Sequence, residues 1–156
     1  MELKGVEKVN KFLTEWLYAH GFEIEAEMGD SFRINLGLNV LEWSPYYDED
    51  SAVVFFEEVQ KDYPDFISCP DELLAFFHEI GHAETECEWD DEDWEEYDIF
   101  VENCHDDRTY FRHPIEWTAT AWGCEYILNH KEEVAKFWKD FCKVMIEFFE
   151  LNEVEQ

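Results

Sequence analysis

His78, Glu79, Ile80, Gly81 and His82 spell H-E-x-x-H at the end of an apolar run. On a helix, residues four apart share a face, so both imidazoles can reach one ion while Glu79 faces the water bound to it. That is the arrangement of a zinc hydrolase. Zinc lowers the pKa of its water to about 7 and polarises a carbonyl, and the carboxylate takes the proton and hands it to the leaving amine. The chain has six His and 40 acidic residues, so chance alone would produce the pattern in roughly a few per cent of such compositions. The surrounding sequence has to decide.

Two His leave a zinc ion one short of the three protein ligands usual at catalytic sites. A metzincin would need Gly at position 85 and His at 88, where this chain has Thr85 and Glu88. Two carboxylates remain as the third ligand. Glu102 opens a Glu-x-x-x-Asp with Asp106 that resembles thermolysin-like gluzincins, although Glu86 and Asp90 repeat the same spacing in this acidic stretch. Glu116 falls in the first turn of an expected helix, on the face shared by Ala119, Thr120 and Gly123. Those small residues would let that helix come close to the H-E-x-x-H helix.

The elements that must position these groups read as follows. Leu3 to His20 carries Leu3, Val6, Val9, Phe12, Leu13, Trp16 and Leu17 at helical spacing, with Gly21 as a stop. Phe22 to Ala26 and Phe32 to Leu36 alternate apolar and polar residues and are expected to pair as a β-hairpin, with Val40 to Trp43 as a third strand. Ser51 to Tyr63 suits a helix with Val54, Phe55, Val59 and Tyr63 inward. The H-E-x-x-H helix is expected to begin near Pro70, where proline lacks only an unpaired N–H and Asp71 and Glu72 suit the dipole. Further helices are expected from Pro114 to about Asn129 and from Glu132 to Leu151, with a frayed tail after Asn152. Between them, residues from about 84 to 108 form an acidic insertion with no Lys or Arg before Arg108. It reads as solvated and partly flexible, with Asp93 to Cys104 able to form a short helix anchored by its aromatics. The fold class is therefore α+β, in one domain spanning 1–156.

A formal charge of −29, with 11 basic against 40 acidic residues, argues against DNA or RNA as a direct ligand, because phosphates must be neutralised by Lys and Arg. It leaves solubility, attraction of a basic protein or mimicry of DNA. With 46% hydrophobic and 18% aromatic residues the chain has material for a core. No stretch reaches the roughly 18 apolar residues of a membrane span, and the first residues lack a signal-peptide pattern. Five Cys with no C-x-x-C pair argue against a disulfide framework. A cytoplasmic location is expected.

The string from Tyr110 to Ile127, read with Leu73 to Glu84, resembles small phage and prophage zinc metallopeptidases related to the ImmA/IrrE group. In those proteins an H-E-x-G-H motif is followed by a Glu three residues before an Ala and then by an aromatic-Ala helix. Trp117-Thr118 and the long acidic insertion depart from that pattern. The resemblance implies a minimal zincin-like fold, with an N-terminal helix, a small mainly antiparallel sheet of about three strands over the active-site helix, and C-terminal helices. It implies His78, His82 and Glu116 as Zn2+ ligands and Glu79 as the catalytic base. It also implies a protein or peptide substrate, such as a basic repressor-type protein, which an acidic surface would attract. The oxyanion donor stays open among His105, Tyr110, Arg112 and His113, while His20 and His130 at helix ends suit capping. The alternative is a non-enzymatic acidic interaction protein or DNA mimic that binds a basic protein.

Overall fold

The computed structural model describes residues 3–45, 52–64 and 70–152. Contacts divide the chain into two compact units, one made of Met1–Pro45 with His130–Gln156 and the other of Tyr46–Asn129. The first contains α1 (Val6–Ala19), β1 (Glu25–Met28), β2 (Arg33–Asn35), β3 (Val40–Trp43) and α7 (Lys131–Leu151). The second contains α2 (Ala52–Asp62), α3 (Asp71–Thr85), a 3-10 turn at Glu86–Glu88, α4 (Asp91–Asn103), α5 (Asp107–Arg112) and α6 (Pro114–Asn129). The fold is α+β and mostly helical.

Helix α1 buries Val9, Leu13 and Leu17, one stripe of its apolar periodicity. Its end is a Schellman motif: the Phe22 N–H donates to Leu17 O at 2.8 Å and the Gly21 N–H to Tyr18 O at 3.2 Å. Gly21 takes the left-handed conformation this requires, with φ 85°. Beside that stripe α1 meets α7 through aromatic rings, Phe12 stacked on Phe137 at 6.0 Å and Trp16 tilted against Phe137 at 4.5 Å. His20 closes the end of α1, with its Nδ1 2.7 Å from Trp16 O and its Nε2 2.7 Å from Glu133.

The sheet differs from the expected hairpin. The strand order is β1-β3-β2, with β1 parallel to β3 and β2 antiparallel to it, so the sheet is mixed rather than mainly antiparallel. The hairpin is β2–β3, closed by the Leu38 N–H on Asn35 O at 3.2 Å and by Asn39 at φ 52°. Residues 29–32 instead carry the chain across the end of β3. The alternation of apolar and polar residues sets which face each side chain takes but not which strand is its neighbour. Burial decides the order. In β3 both Leu41 and Trp43 are fully buried, whereas β1 and β2 expose Glu25, Glu27, Arg33 and Asn35, side chains that suit edges.

In the second unit α2 and α5 are joined by charge. Glu58 of α2 is buried and accepts from Arg112 Nε at 2.7 Å, Arg108 Nη1 at 2.8 Å and Lys61 Nζ at 2.6 Å. Arg112 also reaches Asp62 at 2.9 Å. These cations, led by Arg112, hold the Glu58 carboxyl down at about 2. The expected start of α2 at Ser51 lies outside the described residues.

The acidic stretch is built into helices. Asp90 accepts the Asp93 N–H at 2.8 Å while the Asp93 carboxylate accepts the Asp90 N–H at 3.1 Å, a capping box at the start of α4. Asp91, Glu92 and Asp93 in the first turn also suit the positive end of the helix dipole. Thus the acids fix where α4 begins. The Asp106 side chain caps α5 by accepting the backbone N–H groups of Arg108 and Thr109. That six-residue helix has no counterpart in the expected elements. Among the described residues no helix is long and apolar enough to cross a membrane.

Candidate metal centre

Helix α3 is buried along one continuous run from Leu73 to His82, because α6 lies directly against it. A Cβ on Gly81 would stand 2.3 Å from Ala119 O, and one on Gly123 would stand 3.1 Å from the Phe77 carbonyl carbon. The two backbones therefore touch where side chains would hold them apart. This close crossing brings Glu116 and Thr120, four apart on α6, to His78 and His82, four apart on α3.

Glu116 Oε1 lies 3.0 Å from His78 Nε2 and 3.3 Å from His82 Nε2. The two imidazoles stand edge to face with centroids 4.7 Å apart, and all three residues are buried. The Thr120 hydroxyl donates to Glu116 O at 3.0 Å, so its oxygen accepts from His78 Nδ1, 2.9 Å away. That bond assigns the proton to Nδ1 and turns Nε2 toward the cluster, the tautomer a metal ligand requires. Phe55 of α2 packs edge-on against the His78 ring at 5.8 Å.

Glu79 is buried, with Oε1 3.9 Å from His78 Nε2. His78, Glu79 and His82 can each offer one ligand atom within 4.8 Å of the others. Two carboxylates and two imidazoles thus share one enclosed place. Burial pushes the Glu116 carboxyl up, but the hydrogen bonds from His78 and His82 outweigh it and hold the group well below the usual carboxylate range. Burial lowers His78, yet its bond to Glu116 and the charge of Glu79 leave it raised. Each shift answers the same demand for positive charge between the imidazoles and Glu116. Two imidazole nitrogens and one carboxylate oxygen converging there form a donor set that fits zinc.

Two phenols complete the surroundings. The Tyr97 O–H, from α4, donates to Glu116 Oε2, and its oxygen lies 3.2 Å from the Tyr110 hydroxyl of α5. Burial, then the Glu116 charge, raises both phenols, Tyr110 to about 12. Both are therefore proton donors at neutral pH.

Of the residues singled out from the sequence, His78, Glu79, His82 and Glu116 come together. Glu102 is exposed near the end of α4 and makes none of these contacts. His105 is exposed. Arg112 is engaged with Glu58 and Asp62 and lies 4.0 Å over the Trp117 ring. His113 Nδ1 accepts the Ile115 N–H at 3.2 Å at the start of α6. Tyr110 is the one oxyanion candidate whose hydroxyl adjoins the cluster.

Sequence reasoning gave Tyr97 no part in the site and took Thr120 only as a small residue. Trp94, Tyr97 and Phe100 recur every three residues and are the half-buried stripe of α4. That stripe, with a phenol at its centre, was the available signal. Compared with protein-family models, with curated proteins and with solved structures, the chain matches none.

Proposed function

We propose that this chain is a zinc-dependent metallopeptidase of zincin-like fold, acting in the cytoplasm on a protein or peptide partner. The observation that carries the reading is the convergence of His78 Nε2 and His82 Nε2 on one oxygen of Glu116, with the Glu79 carboxylate beside them. His78, His82 and Glu116 would hold the ion. When bound, zinc would supply Lewis acidity to the scissile carbonyl and to water.

The chain's own groups account for the proton movements. A Glu79 oxygen takes the proton of the attacking water and delivers it to the nitrogen of the leaving amine. The Tyr110 hydroxyl, kept protonated and bonded to Tyr97 when no substrate is present, would turn to donate to the carbonyl oxygen as charge develops there. Thr120 holds His78 in its orientation. The −29 charge favours a basic substrate, such as a repressor-type protein of phage or prophage origin.

Elemental analysis of chelator-free protein tests the site. About one zinc per chain is expected in the wild type and in Glu102→Ala, with loss in His78→Ala and Glu116→Ala. Glu79→Gln is expected to retain zinc and to cut peptide hydrolysis by about 100-fold or more. A wild type that takes up no zinc even when it is supplied would sink the reading. The charge would then favour a non-enzymatic acidic partner for a basic protein, its binding unchanged in Glu79→Gln and weakened by salt.

A further inference from the structure

We propose that Tyr97 is a positioning residue that restricts Glu116 to a single donor oxygen. The inference rests on the zinc-site reading above. Glu116 Oε1 faces both imidazole nitrogens, whereas Oε2 accepts the Tyr97 O–H. An oxygen engaged by a strong O–H donor is a poorer ligand to a cation, so the carboxylate offers Oε1 and withholds Oε2. A one-oxygen ligand leaves a position free for water or substrate, which a two-oxygen chelate would crowd.

The ring that carries this hydroxyl is held independently of it. Tyr97 packs edge-on against Trp94 at 5.7 Å and against His113 at 5.0 Å. Tyr110 lies against the same hydroxyl at 3.2 Å. Tyr97→Phe would therefore keep the ring packing and remove the hydroxyl that donates to Glu116 and accepts from Tyr110. The acidic stretch is thereby part of the site, since α4 supplies the group that governs how Glu116 presents itself.

The test is metal titration of the full chain, with zinc against a competing chromophoric chelator and with cobalt(II) as a spectroscopic probe. Tyr97→Phe is expected to weaken zinc binding about 10–100-fold. At saturating cobalt its visible bands should lose intensity, because the released Oε2 joins the ion and raises its coordination number. Phe100→Ala, which strips packing against His113 from the same helix but leaves the contact of Trp94 with the phenol, should keep the wild-type cobalt spectrum. Wild-type affinity and spectrum in Tyr97→Phe would overturn the proposal and leave the zinc site standing, as would equal spectral shifts in the two variants. The wild-type spectrum gives a check that needs no variant: intense four-coordinate bands are expected, and weak bands of higher coordination overturn the proposal. A wild type that binds neither metal overturns the zinc-site reading itself.

Discussion

Thr120 shows how much one hydroxyl can decide. Its proton goes to the Glu116 carbonyl and its oxygen receives His78 Nδ1, so the orientation of the ring and the placing of its proton depend on a single side chain. Thr120→Val keeps the shape and removes both bonds. It is expected to lower zinc affinity about 10–100-fold, read by competition titration, with a smaller effect on the melting temperature. Such partners leave little trace in a sequence. The spacing of His78 and His82 is legible because a helix sets it locally, but Glu116 stands 34 and 38 residues away from them. The small residues Ala119, Thr120 and Gly123 on the face of Glu116 favoured it over Glu102, and the resemblance to other proteins named it as the ligand. Tyr97 was hidden by the acids around it, which read as solvent-facing, whereas Asp90 and Asp93 spend their oxygens on backbone N–H groups and start a helix.

At the scale of elements, the α3–α6 crossing and the α2–α5 ion cluster carry separate tests. A methyl at Gly81 would meet the backbone oxygen of Ala119 at 2.3 Å, and a backbone cannot swing aside as a side chain can. Gly81→Ala is expected to destabilise the protein by about 1–3 kcal/mol and to weaken metal binding with it, as read by denaturant melts with and without zinc. Glu58 answers to pH. Its carboxyl falls from an ordinary 4.5 to about 2 in the folded chain, so its stabilising effect is complete above 4.5 and is lost as pH drops toward 2. Glu58→Gln should accordingly be less stable than the wild type at neutral pH and converge on it across that interval. The six residues of α5 are too few to show a period, whereas the positions of α1, α3, α6 and α7 were legible from apolar spacing and from Pro70 and Pro114. The strand order was not, because β1 and β2 carry similar alternations and only the deeper burial of Leu41 and Trp43 gives β3 the centre.

Over the whole molecule, charge gives two opposite responses to salt. Several cations are already engaged with the chain's own acids: Lys8 with Glu147, Arg33 with Glu42, Lys136 with Asp140, and Lys61, Arg108 and Arg112 in the cluster at Glu58. The remaining anions repel one another, so the melting temperature should rise as sodium chloride goes from about 10 mM to a few hundred millimolar and the Debye length contracts below about 10 Å. Binding of the proposed basic partner should weaken over the same range. A melting temperature that falls with added salt would show that attraction between charges, rather than repulsion, dominates the fold. The division into units has a consequence in time. One unit is discontinuous: Lys4 and Asn152 exchange hydrogen bonds at 2.6 and 2.7 Å, and α1 stacks on α7. During synthesis α1 and the sheet leave the ribosome before residues 46–129 and must wait for α7, which follows them. Residues 46–129 hold both partners of α3–α6 and of α2–α5 before α7 is translated, so His78, His82 and Glu116 can come together while the other unit is still missing its closing helix.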